Sequence, residues 1–344
     1  MIAATLPDPS AMERRIELLL QREQELAQAP RVSELRRVFG GNARQAWAFE
    51  AEWDEPSGLR HLPCILLSQV PGGHVASDVT AEYGVLAALT GHAIRAPSAI
   101  ALDACGDVTG APAIILERFN GSADAVAFLK PKNPAVSQQL TLELADVTAD
   151  LHQFDWRNSG LATHSDTDAP LRQIELWEQR YFDGRLHPQP PLTHLFHWLK
   201  DHLPEPAQLS LVHGDLRPGN FLYEEGRITA LLDWEMAHIG DPAEDLAWIY
   251  RSLWSPEKFV PLEVFARRYE ARAGAPVDRE RLAYYRIFSE VKFATLSIIA
   301  SASFASAKTA NFRYADRAAK VPGSLANCFA WIAAGRWNAR DVAA

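Results

Sequence analysis

The chain is poor in cysteine. Cys64, Cys105 and Cys328 are its only three, far apart and odd in number. No CxxC pair occurs, so neither a disulfide framework nor a thiolate metal site is expected, and the pattern reads as reduced thiols in a cytoplasmic protein. Long apolar runs are also missing. Nothing approaches the roughly 18 apolar residues of a membrane span. The start, "MIAATLPDPSAMERR", lacks the basic-then-apolar order of a secretory signal. Basic residues are the minority: 34 Lys and Arg face 43 Asp and Glu, a net charge of -9. A nucleic-acid footprint is basic, so neither nucleic acid nor membrane is an expected partner. There is no GxxxxGK[ST] phosphate loop, no GxGxxG after a strand, no HExxH and no GxSxG. Those absences set aside P-loop, dinucleotide-binding, zincin and α/β-hydrolase chemistry.

What remains is an ordinary globular balance, 48% hydrophobic and 22% charged, over 344 residues. That length suggests two domains or one two-lobed unit. Residues 10–28 place Met12, Ile16, Leu19, Leu20 and Leu26 at near-helical spacing, with Ser10 and Glu13 as a capping box. This helix either packs on the body, the favoured reading, or forms a dimer contact. Residues 31–119 read as a small sheet with one helix. "ARQAWAFEAEW" and "LPCILLSQV" are strands, "DVTAEYGVLAALTG" a helix, and "SAIALDA" and "APAIILERF" two further strands. From about 134 onward, long helical patterns cover 136–154, 171–182, 192–203, 256–273, 279–305 and 313–334. The expected division is 1–119, β-rich, and 120–344, helical.

One β-rich island interrupts the helices. "NFLY", "EEGR" and "ITALLDW" read as strand, turn and strand. A hairpin there brings Asn220, at the start of its first strand, to Asp233, at the end of its second. Asp215 lies five positions before Asn220 on the feeding loop "LVHGDLRPGN". Two carboxylates and an amide oxygen suit Mg²⁺, which usually completes its shell with water and phosphate. Taken singly, each of these residues reads as a surface turn or a strand-end acid. Together, at hairpin-compatible spacing between apolar strands, they read as a site. His213 is placed to hold the loop through a hydrogen bond. In "GDPAEDLAW", Asp241, Pro242 and Glu244 form a helix start. His152 and His238 read as packing or capping residues, and Trp177 and Trp254 as core before cleft.

"VHGDLRPGN" followed by "LLDWEMAHIGDPAEDLAW" resembles the aminoglycoside phosphotransferase and choline kinase family, a branch of the protein-kinase-like fold. "GGNARQAWAF", "ERFNG", "LHQFDW", "RQIELWEQRY" and "YYRIFSEVKFA" support the likeness, which covers most of the chain. The nearest branch resembles bacterial phosphotransferases related to kinase domains fused to, or encoded beside, acyl-CoA dehydrogenases. The resemblance implies an α+β fold of two lobes and in-line transfer of a phosphoryl group from ATP with Mg²⁺. It implies that Asp215 accepts or orients the acceptor hydroxyl, that Asn220 and Asp233 bind Mg²⁺, and that His213 braces the loop. Asp245 would hydrogen-bond back to that loop. Gly40, Gly41, Asn42 and Arg44 would approach the phosphates, Glu82 would pair with a basic residue on a neighbouring strand, and Glu117 to Phe119 would meet adenine.

One position departs from the family pattern. The strand "CILLSQV" should carry Lys or Arg, and Leu67 stands at the expected place, with no Lys or Arg between Arg60 and Arg95. Glu82 is then expected to lack its partner unless Arg44 compensates. Two readings follow: a kinase of a small hydroxylated molecule, and a pseudokinase that binds nucleotide or a partner without turnover. The acceptor classes considered are a hydroxyacyl thioester, a hydroxy acid and a cationic aminoglycoside-like molecule. The expected partners are that acceptor and at most a second copy of the chain.

Overall fold

The computed structural model describes residues 8–38, 44–56, 58–69, 79–161, 168–205 and 208–335. The chain divides into two units, Met1–Asn120 and Gly121–Ala344. In the first, helix α1 (Pro9–Glu23) precedes strands β1 (Arg31–Val38), β2 (Arg44–Glu55) and β3 (Gly58–Gln69). Helix α2 (Val79–Leu89) and strands β4 (Ala99–Asp103) and β5 (Ala113–Glu117) follow. The sheet is antiparallel, in the order β1-β2-β3-β5-β4.

Alternation gives this sheet two distinct faces. Trp47 pairs with Leu66, Phe49 with Cys64 and Ala51 with Leu62. These side chains share a core with Met12, Ile16, Leu19 and Leu20 of α1. Burying such a side chain contributes roughly 1.5–3 kcal/mol, so the stripe on α1 is a core element and not a free dimer face. Ser10 and Glu13 do not cap it. The helix starts one residue earlier, at Pro9, with Asp8 at the N-cap and no side-chain capping bond, and ends at Glu23. Proline at the first helical position supplies the required φ. The opposite sheet face carries Arg44, Ala46 and Ala48, paired with Gln69, Leu67 and Ile65.

The second unit is helical: α3 (Ala125–Leu129), α4 (Pro134–His152), α5 (Ala169–Gly184), α6 (Pro190–Asp201), α7 (Ala243–Ile249), α8 (Leu262–Ala273), α9 (Arg279–Ala305) and α10 (Val321–Ala333). The helix expected from 256 begins only at Leu262, after Pro261. The expected helix over 313–334 is a 3₁₀ helix, Phe312–Lys320, followed by α10. Helix α9 packs against α5, α6, α7 and α10. At 27 residues it is, among the described residues, the one helix long and apolar enough to cross a membrane by length and composition, though Glu290 and Lys292 interrupt its apolar run. Its most apolar window is 72% buried within the fold, as the central helix of a packed unit is.

Four short strands complete this unit. β7 (Phe221–Glu224) and β8 (Arg227–Leu231) form the expected hairpin. Glu225 and Gly226 both have positive φ, the two-residue turn that matches strand twist. β6 (Ser210–Val212) pairs with β9 (His238–Gly240), a pairing not expected from the sequence.

Candidate active site

Strand β6 is fully buried and delivers His213, Gly214 and Asp215 at its end. Their backbone is held by Asp245 from the first turn of α7. Asp245 Oδ2 accepts from the His213 amide at 2.8 Å, and Oδ1 from the Gly214 amide at 2.9 Å. His152 Nε2 lies 3.1 Å from Oδ2, and its Nδ1 lies 2.8 Å from the Tyr269 hydroxyl. Burial alone would raise the Asp245 pKa. The His152 hydrogen bond and the nearby His152 and His213 outweigh it and hold the carboxyl at about 2. His152 is thus more than the packing or capping residue expected: it orients the acid that orients the loop.

The loop is also gripped on its other side. Lys292 of α9 donates to the Gly214 carbonyl at 2.5 Å and pairs with Glu244 at 2.9 Å. Glu244, read from sequence as a helix-start acid, is a buried ion-pair partner that also meets His238 Nε2 at 3.2 Å. Its pKa is lowered: Lys292 and His238 overcome the upward effect of burial. Asp241 accepts from the Ala243 amide and pairs with Arg281 at 2.6 Å, fixing the start of α7. Gly214 has φ +80, and an added Cβ would lie 2.5 Å from the Met236 carbonyl oxygen, so only glycine fits.

His213 is buried and kept neutral. Its Nε2 donates to the Leu232 carbonyl at 3.0 Å, and its Nδ1 accepts from the Asp215 amide at 3.3 Å. A carbonyl can only accept, so these contacts fix the Nε2–H tautomer. Burial lowers the His213 pKa against the raising effect of Asp245 and Asp215. The Asp215 carboxylate is itself fixed on three sides. Oδ1 accepts from Trp248 Nε1 at 2.8 Å and from Arg217 Nε at 3.1 Å. Oδ2 accepts from Asn220 Nδ2 at 2.6 Å.

Asn220 Nδ2 also donates to the Asp215 backbone carbonyl at 2.9 Å. With its nitrogen committed to Asp215, Oδ1 is the amide's remaining acceptor, as a hard cation requires. The Leu232 amide donates to the Asn220 carbonyl at 2.8 Å, so the hairpin ends meet, and Asp233 is the next residue along the chain from that bond. Asp233 is exposed and sits in the left-handed region, φ 67 and ψ 63. Such conformations are uncommon for a non-glycine residue and gather at functional sites. Among the described residues no cluster of three or more His, Cys, Asp or Glu would hold a metal unaided. Two oxygen ligands completed by a phosphate fit that arrangement.

In the first unit, Glu82 does have a partner, which corrects the sequence expectation. Arg44 Nη1 lies 2.5 Å from Glu82 Oε2, with side chains 8% and 1% exposed. The base comes from β2 instead of β3. Leu67, half-buried, pairs in register with Ala46 and so shares a sheet face with Arg44 two residues away. Glu117 accepts from Ser98 Oγ at 2.7 Å, and Phe119 is partly exposed at the end of the unit. Gly40, Gly41 and Asn42 lie outside the described residues. Trp177 and Trp254 are buried. Sequence reasoning missed Lys292, Trp248 and Arg217. The signal for Lys292 was a lysine within the apolar pattern of the long helix.

Known proteins resemble this chain in sequence and fold. The family described as "Phosphotransferase enzyme family" matches residues 64–285. Mouse acyl-CoA dehydrogenase family member 10 is 26% identical over 65% of this chain, and chicken acyl-CoA dehydrogenase family member 11 is 32% identical over 50% of it. The matches cover only 21% and 23% of those proteins' lengths. Among solved structures, a putative aminoglycoside phosphotransferase from Ralstonia eutropha has a TM-score of 0.71 and 22% identity, covering 94% of this chain and 98% of that one. A thermostable aminoglycoside phosphotransferase mutant, in ternary complex with ADP and hygromycin B, has a TM-score of 0.60 and 19% identity over 94% and 99%. With the family matched across most of its length and the kinase-like fold of the aminoglycoside phosphotransferases, this chain belongs to the phosphotransferase enzyme family.

Proposed function

We propose that the chain is an ATP- and Mg²⁺-dependent kinase that phosphorylates the hydroxyl of a small molecule. The convergence of Asp215, Asn220 and Asp233 at the root of one hairpin, on a loop gripped by Asp245, carries this reading. Asp215 receives or orients the acceptor hydroxyl, its carboxylate held in one orientation by Trp248, Arg217 and Asn220. Asn220 Oδ1 and the Asp233 carboxylate would hold the Mg²⁺. The bound Mg·ATP supplies the phosphoryl group and neutralises the charge that develops on it. Arg44, paired with Glu82, would grip the phosphates in place of a strand-β3 base, which supports the kinase reading over a pseudokinase. Gly40, Gly41 and Asn42 approach the phosphates, and Glu117 to Phe119 the adenine. The dehydrogenase-named relatives favour a hydroxyacyl thioester or hydroxy acid as acceptor. Calorimetry of ATP with and without Mg²⁺ tests the metal assignment. Asp233→Ala is expected to lose the Mg²⁺-dependent gain in affinity while remaining folded, and an unchanged gain would overturn it.

A further inference from the structure

Beside Asp215 lies a buried apolar cluster of Trp248, Trp254 and Phe293, rimmed by arginine. The Trp248 indole that donates to Asp215 has its ring centroid 5.0 Å from that of Trp254, and Trp254 is 5.8 Å from Phe293. Three guanidiniums lie over these rings. Arg217 is 5.8 Å from the Trp254 centroid, while Arg251 and Arg317 are 3.5 and 5.9 Å from that of Phe293. Two are already committed. Arg251 pairs with Glu290 at 2.7 Å and donates to Ser324 at 3.0 Å. Arg217 pairs with Asp215, with Asp233 and Glu235 adding to its negative surroundings.

Arg317 is different. It is half-buried, and among the described residues it makes no hydrogen bond or ion pair. Its place follows from local structure. A 3₁₀ helix has three residues per turn, so Tyr314 and Arg317 share a side. Tyr314 is buried, and its carbonyl accepts from Ser301 Oγ of α9 at 3.0 Å. That anchor turns Arg317 inward, over Phe293. Burial lowers the Arg317 pKa and the neighbouring Arg217 lowers it further, while Tyr314, Asp215 and Asp316 act the other way. A half-buried cation beside other cations is stabilised by an incoming anion.

We propose that the acceptor carries an anionic group read by Arg317. The inference rests on Asp215 being the phosphotransfer site. It also decides between acceptor classes by the local charge instead of the net charge of -9: a polycationic aminoglycoside would meet guanidinium repulsion here. A carboxylate and a phosphate offer the same chemistry, and the assay separates them.

The test compares phosphoryl transfer from Mg·ATP to hydroxyhexanoates, their methyl esters, hydroxyhexanoyl-coenzyme A, aminohexanol and kanamycin. Transfer is expected to the acids or to the coenzyme A thioester, the first indicating a carboxylate and the second a phosphate. Arg317→Ala is expected to lower kcat/KM for the anionic acceptor by roughly 10- to 100-fold, the scale of one charged hydrogen bond, and to narrow its preference over the uncharged analogue. Arg317→Lys should restore part of that preference. Equal or better use of kanamycin or aminohexanol, or a preference unchanged in Arg317→Ala, would overturn the proposal. If no acceptor is phosphorylated, the kinase reading fails separately. Calorimetric binding of hexanoate and hexanoyl-coenzyme A, against hexanol, then decides: anion-selective binding lost in Arg317→Ala upholds Arg317 as the reader, and unselective binding ends the idea.

Discussion

Asp245 grips the backbone of its loop, whereas Glu82 pairs with the side chain of Arg44. Both acids are buried, and both belong to the candidate site machinery of their own unit. A carboxylate bound to two amide N–H groups is tied to where the chain runs, and no substitution elsewhere can take over those amides. A carboxylate bound to a guanidinium can be met from any strand within reach. Arg44 lies two residues from Ala46, the register partner of Leu67, so the base can sit on β2 while the acid on α2 stays put. Backbone-anchored parts of a site are therefore fixed in sequence position, and side-chain-anchored parts can move.

That contrast can be broken or sharpened by experiment. Asp215→Asn should cut phosphoryl transfer by about 10²–10⁴ while leaving ATP affinity in place, read by steady-state kinetics and calorimetry. A near wild-type rate would assign the hydroxyl to another group. Asp245→Ala strips the acceptor from two buried amides and from His152. Breaking a buried charged network of this kind costs about 3–5 kcal/mol, measurable by urea unfolding. Arg44→Met should weaken Mg·ATP binding roughly 10- to 100-fold. Adding Leu67→Arg to that variant should recover much of the loss, because the new base shares the sheet face. Leu67→Arg alone should bring no tightening, since Glu82 already has Arg44.

Acid supplies a smaller effect. Asp245 is held at about 2 against an ordinary 3.8, so the unfolded chain binds its proton first. The resulting stability, roughly 2 kcal/mol, is present above about pH 4 and is lost as pH falls toward about 2. His213 is also lowered by burial, so proton uptake on unfolding opposes the fold from below about pH 6.5. Unfolding midpoints measured across that range should fall with acid, and Asp245→Asn should flatten the lower part of the curve.

Much of this was legible in sequence. The placement of Asp215, Asn220 and Asp233 at one end of the hairpin is legible because hairpin geometry converts spacing along the chain into proximity, and the "EEGR" turn marks where the chain reverses. The paired strands and long helices follow from periodicity. The illegible parts depend on partners far apart in sequence. Lys292 meets Glu244 across 48 positions, and Arg44 on β2 meets Glu82 on α2 in a strand-to-helix contact that no local pattern encodes. The start of α8 was misplaced because Pro256 and Pro261 bracket residues whose apolar spacing still looks helical. The 3₁₀ stretch, Phe312–Lys320, runs directly into α10 at Val321, so the two read as one helical segment.

The double amide grip of Asp245 also sets how the site moves. The N–H groups of His213 and Gly214 are shielded while the carboxylate stays in place, and that carboxylate rides on α7. Hydrogen exchange at those two amides then requires α7 and the loop to part, a cooperative opening rather than a local flicker. The loop of Asp215 and the first turn of α7 should show one common protection factor and open as a single unit.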